Sequence, residues 1–403
     1  MSRRALILVG RLGRLGSVAA VVFTVSGCGT PRVDAPKSPP SVIATPAPTV
    51  ASAADRARAR ARESLAQSNF RQAFASANES IAAAPDDPRG YVVRGVVWQI
   101  QGELDRAIAD FDRALTLDPR HSDAFGERSF VRLMRNDLRG ATDDIAAAFA
   151  IDPNRPEVYL GRAILRLAEQ NFPAAAADCT KALELNPQDG RAYATRSLAK
   201  TRLSPPDLPG AFVDAERAVV LAPAFGGAFF ARGIALYQRR EFDAALRDFN
   251  QALTLNPALA SAQVERARVR FAKNDFAGAS DDLQNVLPLT SGVLLAETLS
   301  LKGEIKAAGG HFASALEDYD WALSAIPDFV PALIGRAFVR SRNSPPDLKG
   351  AAADIGRALT LWPQAWQALQ VQAEIQAKAG ETEAAEKTWT RVIELAPPFA
   401  LPY

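Results

Sequence analysis

Small residues return along this chain at an almost constant interval. Ten alanines mark one position and follow one another at 34 or 36 residues: Ala73, Ala107, Ala141, Ala175, Ala211, Ala245, Ala279, Ala315, Ala351 and Ala385. A second set of small residues runs in step with them, from Ala61 and Gly95 to Ala373. A fixed interval of roughly 20–50 residues is typical of repeat architectures. The sequence therefore predicts a stack of similar units whose helices approach closely.

Residues 88–121 show what one unit contains. Pro88 suits the first turn of a helix, where its missing N–H is not needed. After a glycine-containing turn, an apolar stripe at helical spacing runs from Leu104 to Leu115. Pro119 ends this second helix, because the residue before a proline disfavours the α conformation. Each unit is therefore predicted to be a pair of helices joined by a tight turn.

This pattern resembles the tetratricopeptide repeat family. That family has a large residue at position 4 of its 34-residue unit, small residues at 8, 20 and 27, a large apolar residue at 24 and proline at 32. In two units these positions hold Tyr91, Gly95, Ala107, Ala114, Phe111 and Pro119, and Phe229, Gly233, Ala245, Ala252, Phe249 and Pro257. The resemblance spans about residues 54–399. It implies an all-α fold, a right-handed α-solenoid of about ten helical hairpins with a concave groove for partners.

Composition and repeat interval together divide the chain. We predict these segments: a signal peptide at 1–27, a Pro/Ala/Ser/Thr-rich linker at 28–51, repeats 1–7 at 52–292, repeats 8–10 at 293–399 and a tail at 400–403. Pro288 arrives early in its unit, and Ser291-Gly292 follows it. We interpret this insertion as a kink between repeats 7 and 8.

The first 28 residues resemble a bacterial lipoprotein signal. A basic start is followed by an apolar stretch too short to span a bilayer comfortably, and then by Val25-Ser26-Gly27-Cys28, which matches the lipobox. The resemblance implies acyl chains on Cys28 that anchor the protein to a membrane of the bacterial cell envelope. An ordinary secretory signal is the alternative, and Arg3-Arg4 also resembles a twin-arginine signal. Gly29, where enteric bacteria use Asp for inner-membrane retention, favours the outer membrane.

Arginine at position 7 and aspartate at position 23 recur from unit to unit. The two positions are equidistant from the turn, so they face each other across the hairpin. We predict seven structural ion pairs: Arg94/Asp110, Arg128/Asp144, Arg162/Asp178, Arg196/Asp214, Arg232/Asp248, Arg266/Asp282 and Arg336/Asp354. A variant pair has lysine, Lys302/Asp318. The alternative interpretation is a ladder of arginines that binds anions.

Two further groups of cations have two interpretations each. Position 11 is basic in six units, at Arg132, Arg166, Lys200, Arg270, Lys306 and Arg340. We expect their stems to cover small neighbours while their charges stay in water. A site for phosphate or sugar acids is the alternative. Four arginines alternate along the first helix, at Arg56, Arg58, Arg60 and Arg62. For these we expect a solvated end face, with lipid phosphate or polyanion contact as the alternative.

The first helix of each unit is expected to line the concave groove with positions 2, 5, 9 and 12. Fourteen large apolar residues fall there: Val92, Val96, Phe130, Leu133, Leu160, Ile164, Leu167, Leu198, Phe230, Ile234, Tyr237, Val264, Phe271 and Phe338. A large exposed apolar patch marks an interaction site, and capture of an amphipathic segment is its obvious use. The alternative is that these side chains pack on neighbouring first helices.

No constellation of residues points to catalysis. His121 and His311 are the only histidines and lie at unrelated repeat positions, so we expect no histidine-based metal site or catalytic triad. The sequence contains no glycine-rich phosphate loop with lysine. Cys179 occupies position 24 and is predicted to be a small buried hydrophobe. We therefore expect a non-enzyme without metal or cofactor.

Two functions fit these observations. The first is a membrane-anchored scaffold or adaptor of the cell envelope that binds other envelope proteins or their segments. The alternative is a polysaccharide-export or glycan-binding scaffold, which would use the cations at positions 7 and 11. Its binding of a polyanion would weaken steeply as the salt concentration rises. The net charge of +2 gives no sign of nucleic-acid binding. Self-association into a homo-oligomer is left open by the sequence.

Overall fold

Helices account for nearly all of the chain that can be described. The computed structural model describes residues 52–67, 69–135 and 137–395, and within these it contains twenty α-helices and no strand. The predicted signal peptide, the linker with Cys28 and the tail at 400–403 lie outside the described residues. Among the described helices, none combines the length and the apolar character needed to span a bilayer.

The described residues form two compact units, an N-terminal unit of residues 52–235 and a C-terminal unit of residues 236–395. The N-terminal unit contains α1 (Ala53–Ala66), α2 (Phe70–Ala83), α3 (Pro88–Ile100), α4 (Leu104–Leu117), α5 (Ser122–Met134), α6 (Leu138–Ile151), α7 (Pro156–Ala168), α8 (Phe172–Leu185), α9 (Gly190–Lys200) and α10 (Leu208–Leu221). The division falls inside α11 (Gly226–Gln238).

The C-terminal unit continues the same alternation of first and second helices. It contains α12 (Phe242–Leu255), α13 (Ala260–Ala272), α14 (Phe276–Val286), α15 (Gly292–Ala308), α16 (Phe312–Ala325), α17 (Val330–Arg342), α18 (Leu348–Leu361), α19 (Trp366–Lys378) and α20 (Thr382–Leu395). Consecutive helices pack in pairs, and each pair also contacts the next. Each unit is therefore a run of stacked helical hairpins, as the repeat pattern predicts.

The predicted division at 292/293 differs from the division that the structure shows. The insertion contains a 3₁₀ turn, Leu287–Leu289, and α15 then extends over 17 residues. Leu294 and Leu301 of α15 join Val264 and Leu283 of the preceding repeat in one apolar core. The core thus continues across the insertion, and repeats 7 and 8 stay in one compact unit.

Helix starts are defined by side chains that cap the first turn. Asp137 and Asp275 accept hydrogen bonds from the backbone N–H of Gly140 and Gly278, each at 2.9 Å. Such caps satisfy backbone donors that have no partner inside the helix. Tight turns of the sequence thereby become fixed boundaries between first and second helices.

The recurring small residues lie where helices touch. Nine of the ten repeat alanines have no solvent exposure, and Ala385 in the last hairpin retains 4%. At Gly95, a Cβ atom would come within 2.6 Å of the Phe111 ring of the same hairpin. This close approach explains why glycine stands opposite an aromatic ring here, as Gly303 does opposite Tyr319 at 2.9 Å.

We expect Gly95→Ala to destabilise the N-terminal unit by about 1–2 kcal/mol, because the added methyl overpacks against the buried Phe111 ring. Gly126→Ala is the matched control, since nothing lies within 4 Å of its Cβ position. There alanine should stabilise by up to about 1 kcal/mol through its helix propensity. Urea unfolding followed by circular dichroism measures both. Equal effects of the two substitutions would contradict the close-contact explanation.

Candidate functional site

Six of the seven predicted ion pairs are present in the structure. In each, the arginine at position 7 donates from Nε and Nη2 to the two carboxylate oxygens of the aspartate at position 23, at 2.6–3.0 Å. The confirmed pairs are Arg94 with Asp110, Arg128 with Asp144, Arg162 with Asp178, Arg196 with Asp214, Arg266 with Asp282, and Arg336 with Asp354. The pair of Arg232 with Asp248 stays a prediction. Lys302 lies 3.9 Å from Asp318.

The aspartates of these pairs lie deeper than their residue type indicates. Aspartate is mostly a surface residue in proteins. Here Asp214, Asp248 and Asp282 are only 3%, 6% and 4% exposed. None of the three can serve as a contact for a partner. Their role lies inside the fold, at the packing of the two helices of each hairpin.

The cations at position 11 do not keep their charges in water, which corrects the sequence-based expectation. Each lies 2.5–2.9 Å from the position-23 carboxylate of its own hairpin. Arg132, for example, pairs with Asp144 and also donates to the backbone carbonyl of Gly140. The charge is drawn inward because the buried carboxylate still has lone pairs to fill after binding Arg128.

Burial remains the dominant influence on some of these aspartates. Burial raises the pKa of Asp144, although the hydrogen bond from Arg128 and the charges of Arg128 and Arg132 all lower it. Asp318 shows the same balance, with burial raising its pKa against Lys306 and Lys302. These carboxylates therefore need both cations, and the pairing has a structural role.

The position-7 arginines also connect neighbouring hairpins. Arg94 Nη1 donates to Asn78 Oδ1 of the preceding repeat at 2.9 Å, and Arg266 Nη1 donates to Asn250 Oδ1 at 2.7 Å. Arg336 bonds to Asp320 in the same way at 2.7 Å. Since these guanidinium groups already bind a carboxylate and a neighbouring helix, little unpaired positive charge is left for an anion ladder.

The expectation of an exposed apolar groove is wrong for eleven of the fourteen side chains. Those with at most 7% exposure are Val92, Leu133, Leu160, Ile164, Leu167, Leu198, Phe230, Ile234, Val264, Phe271 and Phe338. Val96, Phe130 and Tyr237 are half-buried. First helices of consecutive repeats contact one another, which covers these positions. The alternative interpretation, packing between first helices, therefore describes them.

The basic first helix also differs from the expected solvated face. Arg58 is only 5% exposed, and its Nη1 lies 2.7 Å from an Asp87 carboxylate oxygen at the start of α3. Arg58 also pairs with Asp55. Arg60, in contrast, pairs with Glu79 at the surface. One arginine of the four is thus part of the packing between α1 and α3.

A buried polar cluster on α13 and α15 was missed by sequence reasoning. It comprises Glu265, Arg268, Glu297, Ser300 and Glu304, all between 1% and 4% exposed, and we call it the Arg268 cluster. The repeat register could have revealed it. Position 9 is apolar in six units, at Val96, Phe130, Ile164, Leu198, Ile234 and Phe338, whereas repeats 7 and 8 place Arg268 and Glu304 there.

Three carboxyl groups of the Arg268 cluster lie around its guanidinium. Arg268 Nε lies 3.2 Å from Glu265 Oε2. Burial lowers the pKa of Arg268. The negative charges of Glu265, Glu297 and Glu304 oppose this effect, and the pKa lies above its ordinary value. Burial raises the pKa of Glu304 to about 7, only partly offset by Arg268. One guanidinium thus serves three carboxyl groups.

Ser300 and Glu304 of α15 each have a buried side-chain oxygen for which the structure shows no hydrogen bond. The atoms are Ser300 Oγ and Glu304 Oε2. A buried polar atom without a partner costs about 1–3 kcal/mol, so such atoms are rare where packing alone is selected. Here they lie on the same face of α15, because residues spaced by four share a helix face.

A second charged cluster lies in the N-terminal unit, at the starts of α5, α7 and α9. Arg155 pairs with Asp123, and Arg191 Nε lies 3.5 Å from Asp189 Oδ1. The surrounding protein desolvates Glu127 and raises its pKa to about 7, against the opposing charge of Arg191.

Groups suited to other chemistry are scarce in the described part of the chain. No group of three or more His, Cys, Asp or Glu residues there could hold a metal ion. Cys179 is fully buried, and burial raises the pKa of its thiol well above the ordinary value. The predicted structural role of Cys179 is confirmed, since thiolate chemistry needs the opposite environment.

Comparison with protein families gives two matches. Residues 58–122 and residues 226–259 each match a tetratricopeptide repeat model. Both segments of the chain are tetratricopeptide repeats. A comparison with curated proteins gave no significant sequence match.

One solved structure with a TM-score above 0.5 supports the same fold. The structure of a monomeric IFIT1 mutant with m7Gppp-AAAA is 13% identical, with a TM-score of 0.54, over 85% of this chain and 81% of that one. Cut9-Hcn1 of the APC/C is 11% identical, with a TM-score of 0.47, over 86% and 94%. Pseudomonas aeruginosa pilF is 17% identical, with a TM-score of 0.39, over 53% and 96%. At 13% identity, the likeness to the IFIT1 mutant concerns the fold alone.

We expect Asp178→Ala to lower the free energy of unfolding by about 3 kcal/mol, because it leaves Arg162 and Arg166 without their shared carboxylate. Glu79→Ala, which breaks the exposed pair with Arg60, should cost less than about 1 kcal/mol. Urea midpoints at fixed pH and salt measure both. The shared-carboxylate account fails if the two variants lose similar stability.

We expect Glu304→Gln to stabilise the C-terminal unit in a pH-dependent manner. A carboxyl whose pKa is raised in the folded state binds its proton more tightly there, so wild-type stability falls as pH rises from about 4.5 to 7. The gain from glutamine should grow from under about 1 kcal/mol at pH 5 to about 3 kcal/mol at pH 8. Urea unfolding at both pH values measures it, with exposed Glu317→Gln as the control. A gain that does not change with pH would contradict the burial of an ionisable Glu304.

Proposed function

We propose that this protein is a non-catalytic scaffold of the bacterial cell envelope that binds other proteins through the first helices of its repeats. A lipid on Cys28 would hold it at a membrane, with the outer membrane favoured by Gly29. The tetratricopeptide repeat fold supports the scaffold role, because repeats of this kind present extended surfaces built from many similar units.

The Arg268 cluster is the observation that carries the proposal. A stack that only needed stability would place apolar residues at position 9, as six other repeats do. Repeats 7 and 8 instead bury Arg268, Glu304 and Ser300, with Glu304 Oε2 and Ser300 Oγ left without donors. Local departures from a stabilising pattern concentrate at functional sites. Because the cluster itself is buried, we assign partner binding to the half-buried first-helix surface next to it, at Tyr237.

The cations at positions 7 and 11 argue against the glycan-binding alternative. Their charges are engaged by aspartates within the hairpins, at 2.5–3.0 Å in the described pairs. A polyanion would have to break these pairs before it could bind. Binding to proteins requires no such rearrangement, so the scaffold role is the simpler one.

Photo-crosslinking in cells tests the scaffold role. We expect p-benzoylphenylalanine at Tyr237, which is half-buried and adjoins the Arg268 cluster, to give discrete crosslinks to another protein. The matched control is the same residue at Trp321, which is 69% exposed on the second helix α16. Crosslinks from both positions alike, or from neither, would contradict binding through the first helices.

Metabolic labelling tests the lipid anchor. We expect the wild-type protein, expressed in a Gram-negative bacterium with an alkyne-bearing palmitate analogue, to become labelled. Cys28→Ala should abolish the label, because it removes the predicted acylation site. Cys179→Ala is the matched control, since the chain has only these two cysteines, and it should label like the wild type. Label that persists in Cys28→Ala would rule out the anchor.

A further inference from the structure

Position 28 of the repeat differs in exposure between the tenth hairpin and the nine before it. It holds a large apolar residue in all ten repeats: Ile81, Leu115, Phe149, Leu183, Val219, Leu253, Leu287, Leu323, Leu359 and Ile393. The first nine are buried or half-buried. Ile393, on α20, is 61% exposed. The tenth hairpin therefore leaves in solvent an apolar side chain that the other repeats cover.

Position 24 shows the same difference. In the first nine repeats its side chain is at most 4% exposed, as for Phe111 and Ile355. Trp389 holds this position on α20 and is half-buried. Trp389 and Ile393 are four residues apart and share one face of α20. Within the described residues no helix follows α20, so this face lacks the cover that a next repeat provides.

The internal repeats show what covers position 28. The ring of Phe149, at position 28 of repeat 3, meets the ring of Tyr159, at position 4 of repeat 4, edge to face with centroids 4.9 Å apart. In repeat 1 the residue is Ile81, and its Cγ1 lies 3.0 Å from where a Cβ of Gly90, at position 3 of repeat 2, would stand. Positions 3 and 4 of one unit thus lie on position 28 of the unit before it.

The residues that follow α20 continue the repeat register. Residues 396–403 read Ala-Pro-Pro-Phe-Ala-Leu-Pro-Tyr, and they lie outside the described residues. Counted from Ala385 at position 20, Pro397 falls at position 32 and Tyr403 at position 4 of a following unit. These are the proline and the large residue of the repeat pattern, and Tyr159 has the same register position as Tyr403. The segment therefore carries the residue type that covers position 28.

A tyrosine at position 4 can also bond to the proline before it. Tyr91 Oη donates to the backbone carbonyl of Pro85 at 3.1 Å, and these residues hold position 4 of repeat 2 and position 32 of repeat 1. Pro397 and Tyr403 are also six residues apart, so the same hydrogen bond is available to them. This bond would direct the tyrosine ring towards the preceding second helix.

We propose that residues 396–403 fold back on α20 and cover Ile393 with the ring of Tyr403, as the start of a next first helix does in the other repeats. A segment of the same chain acts at an effective concentration on the order of millimolar, so it occupies this face before a second copy can. The cover would prevent the open stacking face from joining another stack. This inference does not depend on the proposed scaffold function.

Thiol labelling of the purified full chain tests the cover. Cys28→Ala leaves Cys179 as the only native thiol, and Cys179 is fully buried. In this background Ile393→Cys should react with a maleimide at least about tenfold more slowly than Val220→Cys, because the folded-back segment shields it. Val220 is the matched control, since it is 70% exposed on α10. Tyr403→Asp should raise the rate at position 393 to that at position 220 and leave the latter unchanged.

Two further variants separate the cover from other effects. Tyr403→Phe keeps the ring and loses only the hydroxyl, so the rate at position 393 should rise by less than about fivefold. Val392→Cys replaces a side chain of α20 with no solvent exposure and should stay unreactive with or without Tyr403→Asp. Its silence shows that α20 stays folded when the cover is removed.

Equal rates at positions 393 and 220 in the chain that keeps Tyr403 would overturn the proposal. So would protection that grows with protein concentration, which would assign the face to a second copy of the chain. Protection that Tyr403→Asp does not lift would also overturn it. If Val392→Cys becomes reactive as well, the unsubstituted chain decides: we expect a nuclear Overhauser effect between the Ile393 δ1 methyl and the Tyr403 ring, and its absence would reject the contact.

Discussion

Buried aspartates shared between two cations are the interaction on which the stack depends. Where the pairing is complete, a position-23 carboxylate receives a bidentate arginine from position 7 and a second cation from position 11. Asp282 binds Arg266 and Arg270 in this way, and Asp214 binds Arg196 and Lys200. A buried carboxylate with one partner removed would be strongly destabilising. Because position-7 arginines also reach the preceding hairpin, they make the stability of one repeat depend on its neighbour.

The Arg268 cluster differs from the Arg–Asp pairs in how its charged groups are arranged. In the complete Arg–Asp pairs each carboxylate binds two cations, whereas at the Arg268 cluster three carboxyl groups lie near one guanidinium. The result is a Glu304 whose pKa is raised to about 7 by burial. A stack can tolerate one such place, because its stability is the sum of many similar interfaces. This tolerance is what makes a repeat scaffold suited to carrying a binding site.

Much of the fold could be predicted because the repeat consists of residue types that determine local structure. The alanine interval, the aspartate caps and prolines such as Pro119 specify paired helices without reference to distant residues. The facing of Arg94 and Asp110 follows from their equal distance to one turn. The prediction of an exposed groove was wrong for most of its residues. A first helix rich in Leu and Val has the same sequence pattern whether a neighbouring repeat or a partner protein covers it. Only the packing of Leu160 and Ile164 against adjacent first helices decides between them.

The sequence by itself determined the hairpin unit, its number of repetitions and the pairing of Arg with Asp, since all three arise within about 34 residues of chain. The tertiary structure decided which side chains the stacking buries, how far the position-11 cations turn inward, and that Glu304 and Ser300 lie buried without donors. It also decided that one core runs across the insertion at Pro288. The physical reason is that burial is a property of neighbouring repeats together, and desolvation sets the cost and the chemistry of a charge only once those neighbours are in place.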